Sequence, residues 1–180
     1  MIFFHNGKFF TPLTIHIELK KVHESFKNTN SMVKKIENLY STLIKDFNIK
    51  QPKMILAGIN PHAGEQDTIS KDDNKYLIPI IKKLNKKDIL IDGPVSGDGI
   101  INNTNLNKYD VFIFTYHDQA LIPFKILSNY EGVNFTSNLD IIRVSPSHGT
   151  AENLIGSKKV ISKGIINCFN LIKKIKNNRN

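Results

Sequence analysis

A single cysteine, Cys168, stands among 180 residues, so no disulfide can close within the chain. That usage fits a reducing compartment, and a cytoplasmic location is expected. No apolar run approaches the roughly 18 residues of a membrane span, so no membrane partner is expected either. The opening MIFFHNGKFF lacks the basic segment and small-residue cleavage site of a signal peptide. Arginine is nearly as scarce: only Arg143 and Arg179 occur, and lysine carries the formal charge of +9. Groups such as Lys82, Lys83, Lys86, Lys87 and Lys173, Lys174, Lys176 read as solvated helix faces. Without arginine clusters or interleaved aromatics, no nucleic-acid partner is expected. Attraction of a phosphorylated small substrate is the milder reading of the charge. No GxGxxG occurs, so a conventional Rossmann fingerprint is absent.

What is present is an ordinary globular balance, 40% hydrophobic and 23% charged residues. It is enough for one domain with a real core. FFTPLTIHIEL (9–19) alternates as a strand after Pro12, with His16 inside it. Ser31 offers an N-cap, and Met32, Ile36, Leu39, Tyr40, Leu43, Ile44 and Phe47 recur at helical spacing. MILAG (54–58) reads as a short buried strand. A helix follows around Lys75 to Asn85, with Pro79 near its first turns. IDGP closes another strand, and DVFIFT (110–115), GVNFT and IIRVS are further strands. Lys159 to Lys176 forms a final amphipathic helix. Strands alternating with helices predict an α/β fold with a parallel or mixed sheet, whose ligands collect at the carboxyl ends of strands.

Three of the six histidines fall in or just after strands: His16 in TIHIEL, His62 in AGINPHAGEQ, and His117 in TYHDQ. Taken singly, each reads as a satisfied core or loop histidine. Together they allow a catalytic metal centre, because three imidazoles with one open position suit a divalent ion. Asn60, Gly64 and Glu65 surround His62, and Asp118 and Gln119 follow His117, which strengthens the joint reading.

NPHAGE (60–65), YHDQ (116–119) and HGTA (148–151), with GP at 93–94 between them, resemble the 4-hydroxythreonine-4-phosphate dehydrogenases of pyridoxal phosphate biosynthesis. The likeness runs from about Leu13 to Ile175. It implies a three-layer α/β/α mixed sheet like that of the isocitrate and isopropylmalate dehydrogenases. In that family a divalent metal (Zn, Mg, Mn or Co) is held by three histidines that match His16, His62 and His117, at a site built across a homodimer interface. Family substrate contacts match Lys125, Asn134 and Arg143. Asp98 and Asp118, with Lys125, match acidic and basic residues close to the chemistry. His148, Gly149 and Thr150 match the loop that holds the adenosine of NAD; as plain sequence, Thr150 could equally be a helix N-cap.

The implied reaction is NAD-dependent oxidation of 4-phosphooxy-L-threonine to a 3-oxo acid that decarboxylates. A related dehydrogenase of another phosphorylated or carboxylated hydroxy acid, or an inactive metal-binding fragment, are the alternatives. The sequence departs from the family pattern at Ile15, Glu18, Ala120 and Ser147. Residues 1–180 are expected to form a single α/β unit matching the C-terminal part of a full-length member, with the first domain incomplete. Phe3, Phe4, Phe9 and Phe10 are then expected to lie exposed where the missing part would cover them, favouring association.

Overall fold

Asn6 and Gly7 both take positive φ, 46° and 77°. This suits a two-residue hairpin turn, which folds β1 (Ile2–His5) onto β2 (Lys8–Pro12). The computed structural model describes residues 1–149, 152, 155, 156 and 161–179. The other strands are β3 (Met54–Ala57), β4 (Ile91–Val95), β5 (Val111–Phe114), β6 (Val133–Thr136) and β7 (Arg143–Pro146). All seven join one sheet in the order β4-β3-β5-β2-β1-β6-β7. The first four in that order run parallel, and β1, β6 and β7 pair antiparallel to their neighbours.

Alternation along the strands sends side chains to two cores, one on each face. Phe9, Leu56, Val111, Ile113 and Phe135 meet three helices: α2 (Thr29–Phe47), α3 (Ile78–Asn85) and α6 (Lys163–Arg179). Phe3, Phe10, Ile55, Phe112 and Phe114 meet Phe124 and Ala120 of α5 (His117–Ser128) on the other face. The one-turn α1 (Val22–Ser25) and α4 (Asn103–Lys108) complete the helices. The fold is thus the three-layer α/β/α arrangement around a mixed sheet.

Five local expectations need correction. The strand ends at Pro12, so His16 lies in the following loop, at φ 50°. The N-cap of α2 is Asn28, whose Oδ1 accepts from the Ser31 amide at 3.0 Å. Ser31 sits three residues inside, at the position that Asn28 caps. The last helix starts at Lys163, with Ile161 and Ser162 before it and Lys159 outside the described residues, and β7 starts at Arg143, leaving that guanidinium exposed. Finally, Phe3, Phe9 and Phe10 are at most 4% exposed, and Phe4 packs against Phe9 with ring centroids 5.1 Å apart. The hairpin carrying them is inserted into the middle of the sheet, so the chain's own strands cover them. The exposed apolar side chains lie elsewhere, Ile122 and Ile126 of α5 among them.

Candidate functional site

The three histidines follow β3, β5 and β2, which are adjacent parallel strands. Neighbouring strands lie about 4.8 Å apart, so their carboxyl ends present three loops side by side. Past β2 the chain keeps its bond to β5's continuation. Leu13 N donates to Phe114 O at 2.8 Å, and the Thr14 hydroxyl donates to Thr115 O at 2.7 Å. Two residues beyond that pairing stand His16 on one chain segment and His117 on the other. Their ring centroids are 5.5 Å apart.

His117 opens α5, and its Nδ1 lies 2.7 Å from Asp118 Oδ1. A carboxylate can only accept, so Nδ1–H donates and the Nε2 lone pair is left free, the tautomer that suits a metal ligand. Asp118 is itself exposed and favourably placed in the first turn of the helix.

His62 stands on the turn Pro61–Gly64, where His62, Ala63 and Gly64 successively adopt φ of 53°, 51° and 80°. A left-handed residue other than glycine costs about 1–2 kcal/mol, so this turn has to be held from outside. Asp73, 1% exposed, does so: its carboxylate accepts from Ile59 N at 2.7 Å, Asn60 N at 3.3 Å and Asn60 Nδ2 at 2.8 Å. Gly58 permits the approach, since a Cβ there would come 2.7 Å from Asp73 Oδ1 and 2.8 Å from Ala63 Cα. Gln119 grips the other side. Its Nε2 donates to Gly58 O at 2.9 Å, while its Oε1 accepts from the Thr115 amide and hydroxyl at 2.9 and 2.8 Å. The ends of β3 and β5 are thereby tied together beside the histidines. Asp73 was not legible as a site residue, because DDNK reads as an ordinary polar helix entry.

Asn60, His62, Asp98, Asp118 and Gln119 line an open groove of about 500 Å³ with Ile59, Ile101 and Ile122. A smaller recess of about 230 Å³ holds His16, His117 and Asp118. Asp118 and Tyr116 border both, so the two lie side by side. Asp98 is exposed and accepts from the Ser96 hydroxyl. That bond, a backbone N–H and the nearby His62 hold its carboxyl below the ordinary carboxylate range. The arrangement brings His16 and His117 together and sets His62 with Asp98 in the adjoining groove. Among the described residues, no group of three histidine, cysteine or carboxylate side chains is close enough to hold a metal ion within this one chain.

The remaining candidates lie apart. Lys125 is exposed on α5 and borders a cavity of about 320 Å³ with Ser128, Ser147, His148 and Gly149. His148 Nδ1 lies 2.9 Å from Gly149 O. Thr150 falls outside the described residues. Asn134 is partly buried on β6, and its Oδ1 has no hydrogen-bond partner among the described residues. Arg143 pairs across β6–β7 with Thr136, whose hydroxyl accepts from Arg143 Nη1 at 2.9 Å. β6 runs parallel to β2, so Thr136 and Arg143 sit at the same edge of the sheet as the histidines. Three strand spacings separate β7 from β2, about 14 Å.

The family profile described as "Pyridoxal phosphate biosynthetic protein PdxA" matches residues 1–172. The chain belongs to the PdxA family. Among its PdxA relatives, the 4-hydroxythreonine-4-phosphate dehydrogenase of Zymomonas mobilis is 39% identical over 148 residues, 82% of this chain and 44% of that protein. The dehydrogenase of the same name from Methylorubrum extorquens is 38% identical over 146 residues, 81% of this chain and 41% of that protein. The crystal structure of the Klebsiella pneumoniae 4-hydroxythreonine-4-phosphate dehydrogenase superposes with a TM-score of 0.81 at 26% identity. That match covers 97% of this chain and 53% of the other. A terephthalate 1,2-cis-dihydrodiol dehydrogenase from Burkholderia xenovorans shares the fold, with a TM-score of 0.73 at 22% identity. The chain spans about half the length of the curated PdxA relatives it matches.

Proposed function

We propose that this chain is the metal- and cofactor-binding part of a 4-hydroxythreonine-4-phosphate dehydrogenase, oxidising 4-phosphooxy-L-threonine with NAD to 2-amino-3-oxo-4-phosphooxybutanoate, which then decarboxylates. The observation that carries this reading is the row of three histidines at the carboxyl ends of β3, β5 and β2. Two of them sit at left-handed φ, where strain is tolerated for a purpose. The donor chemistry fits a divalent ion: the rings of His16 and His117 lie close together, and His62 opens onto the adjoining groove. In this reading a second copy of the chain supplies the imidazole that one chain does not bring into range.

Bound there, a divalent metal would supply Lewis-acid stabilisation of the alkoxide that develops as hydride leaves. The chain's residues do the rest. Asp118 fixes the His117 tautomer, and Asp98 is a carboxylate placed to accept a proton across the groove. In this reading Arg143 offers a bidentate fork, Lys125 a point charge and Asn134 an amide for phosphate or carboxylate. On the same reading His148 and Gly149, with Thr150 as the family resemblance implies, are the adenosine side of the nicotinamide site. The shared fold of the Burkholderia xenovorans diol dehydrogenase supports a second reading, oxidation of a different hydroxy acid by the same apparatus.

The test follows NADH formation from 4-phosphooxy-L-threonine with added Zn²⁺, Mg²⁺, Mn²⁺ or Co²⁺. It compares the chain alone with the chain mixed with the separately expressed N-terminal half of a full-length relative. Turnover in the mixture that chelation abolishes is the expected result, with far slower turnover by the chain alone. No turnover in any mixture, while the full-length relative reacts in the same assay, would refute the reading.

A further inference from the structure

Asp73 is the most thoroughly buried carboxylate in the chain, 1% exposed, yet among the described residues no cation lies within ion-pair distance of it. Its partners are all N–H groups of Ile59 and Asn60, in the two residues that lead from the glycine after β3 into the turn bearing His62. A carboxylate removed from water without a counter-charge is retained only where its hydrogen bonds are many and well directed. Here those bonds converge on one short segment. The same oxygens pack against the positions where Gly58 and Gly64 lack a Cβ, at 2.7 and 3.4 Å. Asp73 also begins the wide turn Asp73–Leu77 that runs into α3, whose Ile80 and Leu84 are fully buried. A loop at the sheet edge is thus anchored to the core through one side chain.

We propose that Asp73 is a positioning residue for His62. Acting through the backbone of Ile59 and Asn60, it holds the left-handed turn that aims the imidazole into the groove, without itself touching any ligand. Its geometric half stands on this structure alone; its consequence for metal binding rests on the function proposed above.

The test uses the metal-free chain first. In Asp73→Asn, which keeps the shape but sets an amide against donor N–H groups, the Ile59 and Asn60 amides should lose hydrogen-exchange protection. The His62 ring resonances should shift or broaden, while those of His16 and His117 stay in place. Asn60→Ala, which deletes only the side-chain bond, should give a weaker version of the same pattern and serves if Asp73→Asn does not fold. Asp73→Glu should restore part of the protection. Zn²⁺ titration by calorimetry is the second arm. If the wild-type chain binds, Asp73→Asn should weaken binding roughly 10- to 100-fold, the usual effect of losing an outer support of a metal ligand. Wild-type protein that binds no metal refutes the metal reading and leaves the positioning claim to the resonances. Unchanged His62 resonances in both variants, or only a uniform loss of melting temperature, would overturn the proposal.

Discussion

Arg179 closes the last turn of α6 onto the C-terminal end of α2. Its Nε and Nη2 donate to Asp46 Oδ1 and Oδ2 at 2.7 and 2.9 Å, and the two side chains are 17% and 4% exposed. Arg179→Met keeps the aliphatic stem and removes the charge, so Asp46 is left buried with its carboxylate unanswered. Breaking a buried pair from one side costs about 3–5 kcal/mol. The lower end applies here, because a helix terminus can fray and admit water. For a domain of this length, about 3 kcal/mol corresponds to a fall in Tm of roughly 6–12 °C. Adding Asp46→Asn removes the stranded charge and should return most of that loss. Urea titrations of both single variants and the double variant give the coupling directly. A loss below about 1 kcal/mol for Arg179→Met, the value of a solvent-exposed pair, would refute the reasoning.

His62→Ala should abolish metal binding in calorimetry while circular dichroism and Tm stay unchanged, since the exposed turn contributes little packing; equal loss of both would contradict it. Gln119→Leu should cost about 1–3 kcal/mol in urea unfolding, because Gly58 O and Thr115 N lose partners near the sheet edge; an unchanged midpoint would show that water replaces the amide freely. Burial pushes the His5 imidazole below its ordinary value of 6.5, against a smaller opposing effect of Glu131. The unfolded chain therefore takes up that proton first as pH falls below about 6.5, and stability drops from there to the lower folded value. His5→Asn should flatten that part of the pH–stability curve, and parallel curves for the two proteins would exclude the effect.

The helices and parallel strands were legible because their patterns are local. MILAG and DVFIFT are apolar runs of strand length, and the 3.6-residue spacing of Met32 through Phe47 is unambiguous. The hairpin turn at Asn6-Gly7 was passed over although Asn-Gly is a strong local signal, and an alternating stretch beyond Pro12 drew the strand too far. Leu13, Ile15, Ile17 and Leu19 alternate there with polar residues as in a strand, but Ile15 and Ile17 are exposed and the chain turns away at His16. The histidines could be placed at strand ends from sequence. That His16 and His117 meet depends on β2 lying beside β5, a pairing about a hundred residues distant that no local pattern encodes. Asp73 was hidden for a related reason: its role arises from the approach of Gly58 and Ala63, and its own neighbours in sequence give no hint of that.

The central position of the β1–β2 hairpin bears on the order in which the molecule can be made. On the ribosome its partners β5 and β6 are synthesised about a hundred residues or more after the hairpin itself. Until then the phenylalanine-rich hairpin has neither flanking strand, and isolated two-stranded ribbons are marginal in water. Such long-range pairings slow folding and prolong the time that strand edges are exposed. The interval between synthesis of the hairpin and the docking of β6 is therefore when the nascent chain is most prone to aggregate.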